Sequence, residues 1–256
     1  MTSVESGGER EENVDYRHSH LGRGTDYDAA LATDPFDAFL AARERALLLQ
    51  LVARFFPREV PRYLDFACGT GRITQLIAPR AAQSYGVDVS EKMLSQARTK
   101  CPGTTFLLQD LTRERAAIEP VQLVTAFRFF GNAQDELRRD AISAIRDVLA
   151  PGGLLILDNH RNPWTVRRGI RYVLGDRHSE AGDGRLDLHH WKLRQLLTRG
   201  GFRIVSMRGI GFWVVRARLA QSHILGSRTA ALLEHTSRLP FAAPFSPAYL
   251  VVARKR

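Results

Sequence analysis

Two glycines and two aspartates in the first third of the chain have the types and spacing of a nucleotide-type binding site. From Tyr63 to Arg72 the sequence is Tyr-Leu-Asp-Phe-Ala-Cys-Gly-Thr-Gly-Arg, in which a short apolar run precedes Gly69 and Gly71. Glycine adopts backbone dihedrals that other residues avoid and lets a ligand approach the chain closely. Asp88 follows Asp65 by 23 residues, near the spacing at which a carboxylate reaches ribose hydroxyls. The pattern predicts a strand, a glycine loop and a helix.

Two classes of cofactor share this layout, and the position of a third glycine helps to distinguish them. Dinucleotide sites favour Gly-x-Gly-x-x-Gly, because the last glycine lets the helix and the strand approach each other around a pyrophosphate. Position 74 is threonine in this chain. The loop therefore favours an adenosyl cofactor other than a dinucleotide, and a dinucleotide stays open as the weaker alternative.

Further stretches, taken with this loop, resemble the class I S-adenosylmethionine-dependent methyltransferases. They span about residues 60 to 210 in the order of the family: Val89–Leu94 after Asp88, Phe106–Leu111, Val148–Leu154 and Leu196–Phe202. The resemblance implies an α/β fold with a Rossmann-like, seven-stranded, mostly parallel sheet and helices on both faces. It also implies that the last strand is antiparallel and lies between the fifth and sixth strands.

The same resemblance implies S-adenosyl-L-methionine as cofactor and assigns residues to it. Asp88 is expected at the ribose, Asp110 at the adenine amino group, and Tyr27 at the methionyl end. Ala67 stands where the family usually has its first loop glycine, a replacement expected to tighten the loop rather than close it. The complete expected cofactor set is Tyr27, Asp65, Ala67, Cys68, Gly69, Thr70, Gly71, Asp88, Val89, Met93, Asp110, Leu111 and Phe127.

The charge of the chain is unevenly distributed. The net charge is +10, but residues 1–15 hold five acidic side chains and one basic one, so the remainder carries +14 by subtraction. Such a surface attracts phosphates, carboxylates or nucleic acid, or it serves solubility alone. We predict a disordered acidic tail over 1–15 and a single methyltransferase domain over 16–256. This domain would include an N-terminal lid segment, 16–57, and a substrate-side insertion, 161–183.

The cysteine content and the hydropathy predict a soluble, cytoplasmic protein. Only Cys68 and Cys101 are present, and Cys68 lies in the glycine loop, so a structural disulfide is not expected. No apolar run approaches the roughly 20 residues that span a bilayer, and no membrane association is expected. The N-terminus is acidic rather than signal-like.

The order of the predicted elements places the chemistry at one edge of the sheet. A helix is expected from Asp34-Pro35 to Pro57, because aspartate caps a helix and proline suits its first turn. Strands near 104–109, 121–127 and 153–158 alternate with helices, which is typical of a parallel sheet. Ligands of such sheets bind outside the carboxyl ends of the strands. The remaining predicted elements are a helix from Arg72 to near Pro79, a helix capped by Ser90, helices over 135–149, 186–198 and 221–236, and strands over 202–205 and 248–253.

The loops after the fourth and fifth strands carry the predicted catalytic residues. His160 is the candidate general base, since histidine titrates near neutrality, and Arg128 and Asn132 would orient the cofactor or the substrate. The alternative for His160 is a histidine hydrogen-bonded within its own loop. An anionic or aromatic substrate is expected, because the lid and the insertion carry arginines, histidines and aromatic residues. The candidate substrate-binding residues are His18, His20, Arg23, Trp164, Arg168 and Tyr172.

Residues that the chain lacks narrow the methyl acceptor. Enzymes that methylate the exocyclic amines of nucleic-acid bases carry an Asn/Asp-Pro-Pro-aromatic motif, which is absent after the fourth strand. Enzymes that methylate cytosine at C5 use a nucleophilic cysteine, and neither cysteine of this chain is positioned for that role. Arg128 stands where metal-dependent enzymes carry an aspartate, so no metal is expected. We therefore predict methyl transfer to oxygen or nitrogen of a small molecule: a natural product, a sugar or a carrier-linked intermediate. The open alternatives are an RNA or other nucleic-acid methyltransferase, an NAD-dependent oxidoreductase and a non-catalytic module that binds the cofactor.

Overall fold

The computed structural model describes residues 35–160, 162, 188–211, 239, 241–246 and 248–256. The tail 1–15, the lid up to residue 34, the insertion apart from residue 162 and the predicted helix 221–236 lie outside these ranges, so the predicted domain boundaries stay predictions. In chain order, the described helices and strands are α1 Pro35–Phe55, β1 Val60–Phe66, α2 Thr74–Ile77, β2 Ala81–Asp88, α3 Glu91–Lys100, β3 Thr105–Leu108, β4 Val121–Ala126, α4 Asp135–Val148, β5 Leu149–Asn159, α5 His190–Arg199, β6 Phe202–Ile210 and β7 Ala248–Lys255.

The strands form one seven-stranded sheet in the order β3-β2-β1-β4-β5-β7-β6. The strands β1 to β5 pair in parallel, whereas β7 is antiparallel to both β5 and β6. The chain therefore moves outward from β1 to β3 and then crosses to β4 on the other side of β1. This reversal leaves a crevice at the carboxyl ends of β1 and β4, where open α/β sheets bind ligands. The predicted fold class is confirmed, including the inserted antiparallel strand.

Both faces of the sheet are buried under helices, which explains the apolar runs of its strands. Successive residues of β5 alternate between two core clusters: Leu155 and Leu157 lie in one, and Leu154 and Ile156 lie in the other. Helices α4 and α5 cover the first cluster, and α1 covers the second. None of the helices in the described ranges combines the length and the apolarity that a membrane crossing requires.

Several predicted elements differ in extent from those observed. Strand β6 continues to Ile210, five residues beyond its predicted end, and α5 begins at His190 rather than at residue 186. The helix expected from Arg72 is only the single turn α2, followed by a 3₁₀ turn over Ala78–Arg80. The reason is Pro79, whose ring and missing N–H are incompatible with a continuing helix. Strand β5 begins at Leu149, four residues earlier than predicted, because a register shift around Gly152 (φ 71°) lets the chain pair with β4 on both sides of the irregularity.

Candidate active site

The loop after β1 turns through three left-handed residues. Ala67, Gly69 and Gly71 have φ of 54°, 55° and 80°. A Cβ added at Gly69 would meet no atom within 4 Å, so this glycine serves the backbone conformation and leaves the loop open to a ligand. A Cβ at Gly71 would lie 3.1 Å from the Cβ of Ala97, so this glycine lets α3 pack against the loop. Ala67 adopts the left-handed conformation in spite of its Cβ, which carries a cost in strain.

Asp65 is a buried carboxylate directly beneath this loop. Its two oxygens accept hydrogen bonds from the hydroxyls of Thr74 (2.6 Å) and Thr125 (2.7 Å). The Thr125 oxygen is also 2.6 Å from the hydroxyl oxygen of Tyr63, so the network continues into the core. Burial raises the pKa of Asp65 to about 6, and the threonine hydrogen bonds and the charge of Arg72 oppose that rise. Asp65 is therefore ionised at neutral pH, and its negative charge is held inside the protein at an energetic cost.

Asp88 connects the end of β2 to the glycine loop. One carboxylate oxygen accepts a hydrogen bond from the backbone N–H of Gly69 (2.8 Å), and the other accepts one from the backbone N–H of Ser90 (2.9 Å). Ser90 in turn caps α3, since its hydroxyl accepts from the backbone N–H of Met93. The expected ribose ligand is thus half-buried and held in place by two backbone donors.

Asp110 follows β3 and faces the same crevice. Its Oδ1 accepts hydrogen bonds from the backbone N–H of Thr112 (2.9 Å) and from its hydroxyl (2.5 Å). Asp65, Asp88 and Asp110 thus lie within two residues of the carboxyl ends of three adjacent parallel strands, as expected of ligands at the carboxyl edge of the sheet.

These elements line an open cleft, which together with the adjoining open solvent occupies about 1020 Å³. Eleven of the predicted cofactor residues line it: Asp65, Ala67, Cys68, Gly69, Thr70, Asp88, Val89, Met93, Asp110, Leu111 and Phe127. Gly71 belongs to the loop but packs against α3 instead of lining the cleft. Tyr27 lies outside the described residues. The lining residues that the sequence analysis missed are Phe66, Arg72, Ile73, Val87, Gln109, Thr112, Phe129 and Leu137.

Arg72 was missed although it directly follows Gly71. Its guanidinium is 2.8 Å from the carboxylate of Glu44, a residue of α1 that is buried. The ion pair attaches α1 to the glycine loop. The sequence indicated a role for Arg72 only through its position immediately after the second glycine. Its partner Glu44 is 28 residues earlier and could not be identified from spacing.

The chemical types of the lining residues suit S-adenosylmethionine. That cofactor carries an ammonium and a sulfonium cation, a ribose diol and an adenine ring. The cleft offers three carboxylates at successive strand ends and apolar side chains, including Ile73, Met93 and Leu111, between them. Burial raises the pKa of the Cys68 thiol, so Cys68 lines the cleft as a neutral side chain rather than as a thiolate nucleophile.

A second cluster joins the loops after β4 and β5 through Asp158. Asp158 is fully buried, and it accepts a hydrogen bond from the backbone N–H of Arg128 (2.7 Å). Its other oxygen lies 3.1 Å from Nδ1 of His160 and 3.7 Å from Nε of Arg128. Burial alone would raise the pKa of Asp158, but the charge and hydrogen bond of His160, together with Arg128, outweigh it and lower the pKa.

The three predicted catalytic residues occupy different positions relative to the cleft. Arg128 lines it, with a left-handed backbone at φ 58°. Asn132 is not among the lining residues, and its side chain donates to the carbonyl of Arg128 at 2.5 Å. His160 does not line the cleft either. It packs against Gly131, where an added Cβ would lie 2.9 Å from the imidazole ring of His160. Its role as a base stays a prediction.

The remaining predictions for this site concern metals and substrate. Within the described ranges, no three His, Cys, Asp or Glu side chains converge as ligands for a metal ion, and Arg128 lies beside Asp158. The candidate substrate residues all lie outside the described residues: His18, His20, Arg23, Trp164, Arg168 and Tyr172.

Comparison with known sequences points to methyl transfer. A family profile described as a methyltransferase domain matches residues 64–153. Trans-aconitate 2-methyltransferase of Rhizobium leguminosarum bv. trifolii is 36% identical over 107 residues, which is 41% of this chain and 41% of that enzyme. The dTDP-3-amino-3,4,6-trideoxy-alpha-D-glucopyranose N,N-dimethyltransferase of Streptomyces venezuelae is 29% identical over 184 residues, 66% of this chain and 71% of that enzyme. The alignment with the first of these relatives spans less than half of its length.

Solved structures with the same fold include two methyltransferases with bound S-adenosyl-L-homocysteine. The N-methyltransferase NodS of Bradyrhizobium japonicum WM9 gives a TM-score of 0.57 at 17% identity, covering 93% of this chain and 96% of that one. The magnesium protoporphyrin IX methyltransferase ChlM of Synechocystis PCC 6803 gives a TM-score of 0.57 at 18% identity, covering 86% and 85%. At these identities, the likeness is one of fold.

Proposed function

We propose that this chain, which matches a methyltransferase profile over residues 64–153, is a class I S-adenosylmethionine-dependent methyltransferase and transfers a methyl group to an oxygen or nitrogen atom of an anionic small molecule. The observation that carries the proposal is the cleft at the reversal of strand order. There the glycine loop meets the carboxylates of Asp65, Asp88 and Asp110. All of these residues lie within the segment that matches the methyltransferase profile.

Different residues of the cleft are proposed to bind different parts of the cofactor. Asp88 is proposed as the ribose ligand and Asp110 as the ligand of the adenine amino group, while the buried charge of Asp65 favours a cationic ligand. When bound, S-adenosylmethionine supplies an electrophilic methyl group. The chain itself has to orient the acceptor, exclude water and accept a proton where the acceptor carries one.

The anionic class of acceptor is supported by charge. The chain carries +10 overall, and Arg128, in the loop that follows β4, lines the cleft. The names of the two relatives denote trans-aconitate and a dTDP-linked amino sugar, which are both anions at neutral pH. A guanidinium at the cleft pairs well with carboxylate or phosphate groups.

The experiment that tests the proposal has a binding arm and a turnover arm. In calorimetry, we expect the purified chain to bind S-adenosylmethionine and S-adenosylhomocysteine but not NAD. Release of S-adenosylhomocysteine is then measured with trans-aconitate, a dTDP-linked amino sugar, a neutral catechol and bulk RNA as acceptors. We expect turnover with an anionic small molecule. Binding of NAD alone would overturn the cofactor, and turnover confined to RNA would overturn the acceptor class.

The variant Asp88→Ala controls the turnover arm. This change removes the expected ribose ligand but leaves the side chains of the loop in place. If the turnover belongs to this cleft, the variant should lose it at limiting cofactor concentration. Turnover that is equal in the two proteins would indicate a contaminating enzyme.

A further inference from the structure

Binding of the cofactor in the cleft does not require a carboxylate at position 158. Asp158 is fully buried one residue before the end of β5, and it does not line the cleft. It nevertheless contacts two loops, since it accepts the backbone N–H of Arg128 and lies 3.1 Å from Nδ1 of His160. Burying a carboxylate is costly unless its charge and its hydrogen bonds are compensated. Here both compensating groups come from the loops that follow β4 and β5.

The hydrogen bond fixes the tautomer of His160. The pKa of Asp158 is lowered, so its carboxylate is ionised and can only accept hydrogen bonds. The hydrogen of the bond at 3.1 Å must therefore be on Nδ1 of His160. In the neutral ring, Nε2 is then the basic nitrogen, with its lone pair available for a proton.

The same carboxylate holds Arg128 in an unusual conformation. Arg128 has φ of 58°, a region that residues with a Cβ rarely adopt. Its N–H donates to Asp158 at 2.7 Å, and its carbonyl accepts from the side chain of Asn132 at 2.5 Å. The strained turn is thus clamped on both sides, and it keeps the Arg128 side chain at the cleft.

We propose that Asp158 is a positioning residue for methyl transfer, which holds His160 with Nε2 as the basic nitrogen. This inference rests on the proposed function. With S-adenosylmethionine bound, the acceptor's oxygen or nitrogen would bond to the methyl carbon as the methyl–sulfur bond breaks, and the electron pair of that bond would stay on the sulfur of the departing S-adenosylhomocysteine. The proton of the acceptor's hydroxyl or amine would pass to Nε2 of His160. The resulting imidazolium is stabilised by the negative charge of Asp158, and it later gives the proton to water.

Gly131 provides an independent means of disturbing the ring. A Cβ at this position would lie 2.9 Å from Cε1 and 3.2 Å from Nδ1 of His160. Gly131→Ala should therefore displace the imidazole without any change to Asp158. It serves as the second variant if Asp158→Asn proves too unstable to study.

The first test measures the tautomer and needs no substrate. Long-range ¹H–¹⁵N spectra of the full chain, labelled at histidine nitrogens and recorded above the titration of the ring, report which nitrogen is protonated. His160→Gln assigns the signal. We expect Nδ1–H in the wild type and a shift towards Nε2–H in Asp158→Asn, because the asparagine amide can donate to Nδ1. A wild-type ring protonated at Nε2 would overturn the proposal.

The second test measures turnover on the best acceptor from the panel above, together with affinity for S-adenosylhomocysteine. We expect Asp158→Asn and His160→Gln each to lower kcat about 100-fold, the range of general-base catalysis, with the affinity changed less than about threefold. The double variant should be no slower than His160→Gln alone, because Asp158 acts through the histidine. Asp147→Asn, an equal loss of charge at an exposed site of α4, is the matched control.

The outcomes separate the two proposals. A wild type that does not bind S-adenosylhomocysteine refutes the proposed function, whatever the tautomer. A wild type that binds it and turns over, but whose kcat is unchanged by both Asp158→Asn and Gly131→Ala, refutes only the role of Asp158. Multiplicative losses in the double variant would also refute it, since they would assign Asp158 a structural effect independent of His160.

Discussion

The buried carboxyl of Asp65 should make the stability of this protein depend on pH in a predictable direction. Its pKa is about 6 in the folded chain, against 3.8 for an unperturbed group. Between these values, the folded protein keeps a proton that the unfolded chain has released. The stabilising contribution of the protonated carboxyl is therefore complete below about pH 3.8 and is lost as the pH rises through 6. The difference corresponds to about 3 kcal/mol, since one pKa unit is 1.36 kcal/mol.

Asp65→Asn isolates this contribution, because asparagine does not titrate. Asparagine also alters the hydrogen bonds to Thr74 and Thr125, but that effect is the same at every pH. Urea unfolding of both proteins without cofactor, at intervals from pH 4 to pH 8, gives the difference in free energy of unfolding. We expect the variant to gain about 2.4 kcal/mol relative to the wild type over this range, because about 0.6 kcal/mol of the total is already lost at pH 4. Most of the gain falls between pH 4 and pH 6.5.

The control for loss of a charge as such is Asp140→Asn, which removes an exposed carboxyl from α4. A difference between wild type and Asp65→Asn that stays constant from pH 4 to pH 8 would refute the reasoning. A gain of the wild type over the variant with rising pH would refute it more strongly, since it would mean that the site stabilises the ionised form.

Three further predictions concern the loop and the base. Asp88→Ala should weaken S-adenosylhomocysteine binding by about 10- to 100-fold in calorimetry, because charge-assisted hydrogen bonds are lost; an unchanged affinity would remove the ribose assignment. Gly71→Ala should lower the free energy of unfolding by about 1–3 kcal/mol, whereas Ala67→Gly should raise it by about 0.5–1 kcal/mol; shifts of the same sign in urea unfolding would contradict the strain argument. His160→Ala should lower turnover with cofactor affinity nearly intact, and equal activity would exclude His160 as base.

The sequence carried enough information for the sheet and for one half of the site. The alternation of apolar runs with helical periods predicted parallel strands. The position of Asp88 at a strand end and the cap formed by Ser90 were predicted from local spacing. These features depend on contacts between residues close in sequence or on one strand end. That is why a pattern along the chain suffices for them.

The cluster around Asp158 could not be predicted in this way. Arg128 and Asp158 meet because β4 and β5 pair in parallel with Ala126 opposite Leu157, and a register of this kind is not visible in either strand alone. The left-handed backbone at position 128 belongs to an arginine rather than a glycine, so the residue type did not indicate this turn. The pairing of Glu44 with Arg72 depends similarly on how α1 lies against the loop. In each case the tertiary arrangement, rather than a local preference, determines the contact.

The position of β7 in the sheet has a consequence for biosynthesis. Residues 248–255 pair with β5 on one side and with β6 on the other, and Leu157 is opposite Val251, 94 residues later. Until this segment leaves the ribosome, β5 presents an open edge, and β6 lacks the only strand to which it is joined in the described sheet. Such edges invite pairing with other chains, and contacts of long sequence separation form slowly. The nascent chain should therefore be most prone to aggregation just before β7 is made, and the described sheet should be completed only after residues 248–255 are released.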